Sequence, residues 1–237
     1  MPRTMLKATH LHHASILLGF SQTVLLIDPF KLSPQHLQLL PKTLVLAITH
    51  PHFDHLSVED IQKVSQVSQI TAVIYPTSIA EEIAKVPSLQ NVRHIALNLG
   101  ENAEINSVTI TAFPAYNTNK INPQTGAPFH PKENNWAGFI FTFMENACQI
   151  HAPYVKGPTQ LENASSIYVA GDTDFIPEMQ QLAGTIDLAF LPVSGTYVMT
   201  PQEALQAYTV IAPKTAVPIH YGVIVGSPED AKQFVEG

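Results

Sequence analysis

The chain has 237 residues and is 45% hydrophobic but only 13% charged, so it can bury a full core, as one large domain or two fused halves, and is not a disordered chain. A net charge of -7 with no cluster of Lys or Arg speaks against a protein that grips nucleic acid, and the single Cys148 excludes an internal disulfide and a cysteine-built metal site. No apolar run is long enough to span a bilayer and the N-terminus lacks the layout of a signal peptide, so the expectation is a cytoplasmic protein with no membrane partner.

In chain order, residues 15–20 and 23–27 read as two strands joined by a tight polar turn, the second ending at Asp28-Pro29 because proline cannot donate to a ladder. Residues 44–48 form an apolar run without alternation, as expected of a strand buried on both faces. Ser57 is placed to cap a following helix, and Ser78-Ile79-Ala80-Glu81 reads as a capping box opening another. Residues 70–75 and 92–97 are further strands. From about residue 103 the pattern is strand-rich: 107–113 alternates, and 137–144 is expected to pair with 148–151 as a hairpin through Glu145-Asn146-Ala147. Residues 123–132 and 153–165 read as long polar loops. The last third alternates again: strands at 166–170, 188–191 and 215–219, and helices at 175–182, from Thr200-Pro201-Gln202-Glu203 and from Ser227-Pro228.

Eleven histidines nearly equal the 12 Lys and Arg, and three of them fall in Thr49-His50-Pro51-His52-Phe53-Asp54-His55, directly after a buried strand. In His50-x-His52, alternate residues of an extended stretch leave the chain on one side and can reach one ion. Asp54 and His55 follow as the chain turns toward a helix and face elsewhere. Four such ligands in so short a span suit two neighbouring ions, and imidazole with carboxylate suits zinc first, or manganese or iron. A histidine-rich surface loop is the plain alternative. Asp172 in Gly171-Asp172-Thr173 and His220 in Ile219-His220-Tyr221 also end strands, where open α/β sheets place their sites. Each also has an ordinary reading, as a helix cap or a turn residue.

The order His-x-His-x-Asp-His, Gly-Asp-Thr and a strand-terminal His resembles the metallo-β-lactamase superfamily. More narrowly it is similar to the branch of metal-dependent hydrolases that includes ascorbate-6-phosphate lactonase-like proteins, matched also at His13-Ala14-Ser15, Ile27-Asp28-Pro29 and Leu191-Pro192-Val193. The resemblance implies one domain over residues 1–237, an αββα sandwich of two mixed sheets flanked by helices. It implies two divalent ions: one on His50 and His52, the other on Asp54, His55 and His220, with Asp172 bridging. A metal-bound hydroxide then attacks a small ester, lactone or phosphoester, and Asp54 steers it. A divalent ion lowers the pKa of bound water to roughly 7 whatever the family.

The sequence departs from the family where a Pro-Ala-x-His segment supplies a third histidine to the first ion. Here it reads Pro114-Ala115-Tyr116-Asn117. Asn117 offers only a carbonyl oxygen, and His130, in the following loop, is expected to replace the missing ligand or to bind substrate; the alternatives are a first site that binds weakly or a mononuclear enzyme. His13 is expected behind the ligands or facing the substrate, and Asp28 to orient a ligand. Lys132, Trp136 and Tyr221 are candidate substrate contacts. His10 and His12, near the N-terminus, could line the rim but are not expected to; His36, His94 and His151 are read as structural, and Glu203 as a capping residue. The acidic surface disfavours a nuclease, and Asn117 disfavours a β-lactamase. The expected partner is a small-molecule substrate, and family analogy allows a homo-oligomer. The rival from another class is a non-catalytic metal-binding protein on a degenerate hydrolase scaffold.

Overall fold

Side chains of a strand alternate between its two faces, so a strand that is apolar at every position must be covered on both sides. The strands of this chain are built that way. The structure is a computed structural model that describes residues 5–237; residues 1–4 of the expected 1–237 domain lie outside the described residues. Its strands are β1 (Leu6–His12), β2 (Ser15–Phe20), β3 (Thr23–Ile27), β4 (Thr43–Ala47), β5 (Gln69–Pro76), β6 (Arg93–Leu97), β7 (Asn102–Ile105), β8 (Val108–Pro114), β9 (Ala137–His151), β10 (Gln160–Val169), β11 (Leu188–Pro192) and β12 (Thr215–Ile219). Its α-helices are α1 (Pro34–Gln38), α2 (Val58–Val67), α3 (Ala80–Ala84), α4 (Pro201–Ile211) and α5 (Pro228–Glu236).

Hydrogen bonding runs β12-β11-β10-β9-β1-β2-β3-β4-β5-β6, with β8 also on β9 and β7 on β8. The mixed sheet folds over on itself, and alternate residues show how. Val45 and Ala47 of β4 share one apolar cluster with Phe139 and Phe141 of β9, Phe190 of β11 and Val217 and Ile219 of β12. Leu44 and Leu46 point the other way, onto Ile61 and Val64 of α2 and Ile83 of α3. Tyr168, Ala189, Leu191 and Ala216 likewise turn from the inner cluster onto Ala204 and Ala207 of α4 and Phe234 of α5. The result is the expected αββα layering. Among the described residues no helix is long and apolar enough to cross a membrane.

Four local expectations are corrected. Residues 145–147 do not reverse the chain: β9 runs on for 15 residues. Its first part pairs with β8, its end pairs with β1, and β10 runs antiparallel along both. Irregularities between Leu161 and Ala164 and between Ala164 and Ser166 absorb the lost alternation, so the polar triplet marks a bend between the layers, not a turn. For the same reason β10 starts at Gln160, inside the stretch read as loop. Ser78 caps nothing; its hydroxyl donates to the Asn135 carbonyl at 3.2 Å, and α3 starts at Ala80 without a side-chain cap. Pro177–Leu182 is a 3-10 helix, with Pro177 at its start.

Every site expectation falls at the rim where strands of both halves end. Two backbone bonds cross it: Ala137 N donates to Thr49 O (3.3 Å), and His220 N to His13 O (2.9 Å). Gly138 makes the close approach possible. A Cβ there would lie 2.5 Å from the carbonyl oxygens of both Val169 and Ala170, at the end of β10. Gly138→Ala should therefore lower the free energy of unfolding by about 1–3 kcal/mol, the usual cost of overpacking. Phe53→Ala, at an exposed position, should shift the urea midpoint little. Equal midpoints for the two variants would remove the close-approach argument.

Candidate metal centre

Each element delivers a polar side chain at its end. β3 delivers Asp28, and the turn after β1 delivers His13. The extended stretch after β4 delivers His50 and His52, and the turn before α2 delivers Asp54 and His55. Asp172 follows β10, Ser194 follows β11 and His220 follows β12. His13, Asp28 and His220 have φ of +51°, +45° and +59°. This left-handed region costs a non-glycine residue on the order of 1 kcal/mol or more, and tertiary contacts hold all three there.

His50, His55, His130 and His220 share one arrangement. Nδ1 is anchored by the protein and Nε2 is turned inward. His55 Nδ1 donates to Asp28 Oδ2 at 2.7 Å. The Thr49 hydroxyl donates to the same carboxylate oxygen at 2.6 Å and accepts from His50 Nδ1 at 3.0 Å. His220 Nδ1 lies 3.1 Å from Ser194 Oγ. His130 Nδ1 donates to Asn117 Oδ1 at 3.0 Å. Fixing one ring nitrogen sets the tautomer and leaves the other free as a ligand.

The inward atoms converge on Asp172. His220 Nε2 lies 3.1 Å and His130 Nε2 3.3 Å from its Oδ2, and His55 Nε2 lies 3.2 Å from its Oδ1. His50 Nε2 is 3.9 Å from Oδ2 and 3.1 Å from His52 Nδ1. Three sets of donor atoms, each within 4.8 Å of one another, could hold a metal ion: His50, His52 and His130; His13, Asp54, His55 and His220; and His50, His55 and Asp172. The Nε2 atoms of His55, His130 and His220 and Asp172 Oδ1 are buried, with no hydrogen-bond partner among the described residues. Buried polar atoms are almost always paired, so an unpaired set of imidazole and carboxylate donors fits divalent ions.

Asn117 has both side-chain atoms engaged by neighbouring protein groups. Its Oδ1 accepts from both the backbone N (2.9 Å) and Nδ1 of His130. Its Nδ2 donates to Tyr197 O (2.8 Å) and Asp174 Oδ1 (3.2 Å). Asn117 N in turn donates to His130 O at 2.8 Å. The excursion between them thus closes at its base, and His130 lies beside the position where the family pattern puts a histidine.

His13 stands closer than expected. Its Nε2 donates to Asp54 Oδ2 at 3.0 Å, its ring centroid is 4.1 Å from that of His220, and it shares a candidate metal group. His10 braces it from behind through a bond to the His13 carbonyl. Of the three candidate substrate contacts, Trp136 packs on His50, His52 and His130. Tyr221 stacks instead on His10 and Tyr154. Lys132 is tied to Glu178 (2.8 Å) and the Tyr116 hydroxyl (3.1 Å). Glu203 caps α4 and also pairs with Lys120 at 2.7 Å.

Three supporting residues were not singled out from sequence. Thr49 and Ser194 anchor rings, and Asp174 receives the backbone N–H groups of Thr118 (2.7 Å) and Asn119 (2.9 Å), fixing the start of the His130 excursion. Asp174 follows Gly171-Asp172-Thr173 by one residue, which is the only signal that could have found it. Asn117→Ala should leave buried donors of His130 unpaired and lower stability by about 1–3 kcal/mol. Urea unfolding of metal-free protein measures this; an unchanged midpoint would mean the excursion does not depend on Asn117.

Comparison with known proteins agrees with this geometry. The Beta-lactamase superfamily domain matches residues 20–221. A UPF0173 metal-dependent hydrolase of Methanoregula boonei is 30% identical over 95% of this chain and 86% of its own length. A metallo hydrolase of Ignicoccus hospitalis superposes with a TM-score of 0.69 at 22% identity, covering 98% of this chain and 91% of that one. CmlA, a diiron beta-hydroxylase from Streptomyces venezuelae, also superposes at 0.69, with 16% identity over 99% of this chain and 50% of that one. At such identities the two structures show the fold alone. With its strand-end donor cluster and a match over most of its length, the chain belongs to the beta-lactamase superfamily and, within it, to the UPF0173 metal-dependent hydrolases.

Proposed function

We propose that this metal-dependent hydrolase works with two divalent ions, zinc by preference, on a small ester, lactone or phosphoester. The observation that carries the reading is the set of buried, unpaired Nε2 atoms of His55, His130 and His220 around Asp172. His50, His52 and His130 would hold one ion, and Asp54, His55 and His220 the other. Asp172, within 3.3 Å of Nε2 of His55, His130 and His220, would serve both. Ions held there would supply Lewis acidity and a water whose pKa is lowered to roughly 7.

The protein's own groups do the rest. Asp54 faces the cavity above the cluster, and its Oδ2 is held by His13 Nε2–H. Burial would raise the Asp54 carboxyl, but His55, His13 and His220 outweigh it and hold it well below the usual range. It stays ionised and can orient water. Trp136 walls off the His50 and His52 side from solvent. The single buried Cys148 fits a reducing compartment, the cytoplasm.

Zinc analysis of the purified protein should give two ions per chain, and one for His130→Ala. His55→Ala should abolish turnover across ester, lactone and phosphodiester substrates. Bound ions with no turnover on any class would favour a metal-binding protein instead. The two centres should also differ in pH response. Burial, with His130 adding, lowers His52 to about 4, and burial holds His50 low as well; both are neutral at pH 7 and release no proton to an incoming ion. Burial also opposes the charge on His220, but Asp172 and Asp54 prevail and push it up to about 9. That ring is protonated at neutral pH and must lose its proton to bind. Zinc affinity at the second centre should therefore fall about tenfold per pH unit below 9 for each proton displaced, while the contribution of His50 and His52 persists until pH nears 4. Calorimetry in buffers of different ionisation enthalpy measures the proton release; equal release at both centres would contradict the assignment.

A further inference from the structure

The donor cluster opens into a cavity of about 280 Å3. Its floor is polar: His52, Asp54, His130 and Asp172. Its walls are Phe53, Phe129, Tyr197 and Ile224. Among the described residues no Lys or Arg lines it. The two lysines that flank Phe129 in sequence are engaged elsewhere: Lys120 with Glu203 at 2.7 Å, and Lys132 with Glu178 at 2.8 Å. A substrate carrying a phosphate or carboxylate away from the reacting bond would find no side chain here to pair with it.

The apolar walls need an explanation of their own. Phe53 is 67% and Ile224 37% exposed, an unusual state for two large apolar side chains at one mouth. Each aromatic wall is braced edge-on, Phe53 by Phe30 at 5.8 Å and Phe129 by Tyr197 at 4.7 Å. Phe53 lies inside the histidine motif itself, between His52 and Asp54, so the turn that presents the donors also presents an apolar face beside them. Small-molecule sites combine such walls with a few convergent polar groups.

We infer that the cavity takes a neutral carboxylic ester, open-chain or cyclic, whose alkyl tail lies against Phe53, Phe129, Tyr197 and Ile224. The inference rests on the hydrolase reading above. In the reaction the oxygen of water bonds to the acyl carbon and the acyl carbon–oxygen bond breaks. The alkoxy group leaves with one proton as the alcohol, the other proton is released, and the acyl part departs as a carboxylate. The tail stays on the apolar walls throughout and sets which ester is preferred.

The test uses the zinc-loaded full chain with p-nitrophenyl acetate, butyrate and octanoate, γ-lactones of rising alkyl length, p-nitrophenyl phosphate and bis-p-nitrophenyl phosphate. The expected kcat/KM rises by up to roughly fourfold per methylene until the cavity is filled, and neutral esters exceed both phosphate substrates. In the double variant F53S/I224S, metal content is read alongside activity, and the loss on octanoate should exceed the loss on acetate at least tenfold. Calorimetry with octanamide and acetamide reads the tail seat without turnover: octanamide binds more tightly, with a negative heat-capacity change, and F53S/I224S removes the difference. A flat or falling chain-length series, or faster phosphate turnover, overturns the neutral-ester inference and leaves the hydrolase reading standing. No turnover of any substrate by the two-zinc protein overturns the hydrolase reading, and equal binding of octanamide and acetamide then overturns the tail seat as well.

Discussion

The Asp28 carboxylate is the joint on which the metal centre is built. It is buried at the end of β3 in a left-handed backbone conformation. It accepts from the backbone N and hydroxyl of Thr49, at the end of β4, and from Nδ1 of His55, one turn later. One side chain thereby fixes the spacing of two parallel strands, the exit direction of the histidine motif and the tautomer of a ring at its centre. A buried carboxylate is stable only when its lone pairs are taken up, so the same requirement that keeps Asp28 folded inward keeps His55 aimed at Asp172. Thr49 extends the relay to His50, and one hydroxyl thus couples the rings of both donor sets.

Asn117 and His130 show how packing fixes a ring nitrogen carried by a loop. The excursion after β8 leaves at Asn117 and returns at His130, and the pair bond each other through backbone and side chain alike. Asp174 pins the outgoing strand of the excursion through successive N–H groups. Lys120 and Lys132 tie its two ends to Glu203 and Glu178. The excursion is held at many points, which is what a ring nitrogen needs if it is to stay within ligand distance. The same lysines are thereby withdrawn from the cavity, so the device that supplies the donor also leaves the pocket uncharged on its walls.

The electrostatics follow from crowding. Burial disfavours charge on His50, His52, His55 and His220 alike, and His50 and His52, with no carboxylate strong enough to offset it, are held neutral. His55 and His220 lie against Asp172 and Asp54, and there the ion pairing wins. His50 and His52 therefore differ in resting protonation from His55 and His220 because of where the carboxylates sit.

Periodicity made most of the scaffold legible: runs such as residues 44–48 could only be doubly buried strands, and Thr200-Pro201-Gln202-Glu203 could only begin a helix. The dense spacing of His50, His52, Asp54 and His55 exposed the chemistry, because few other arrangements bring so many donors together locally. Local patterns misled where long-range pairing decided the outcome. Residues 145–147 resemble a turn, yet β10 and β1 hold that stretch extended across the fold. What sequence alone determined is the inventory of candidate ligands and the strand ends that carry them. That His13 reaches Asp54, that Asn117 supports His130 and that Phe53, Phe129, Tyr197 and Ile224 share one mouth were decided only by tertiary structure, since each joins residues whose proximity depends on how the folded sheet brings separate strand ends and loops together.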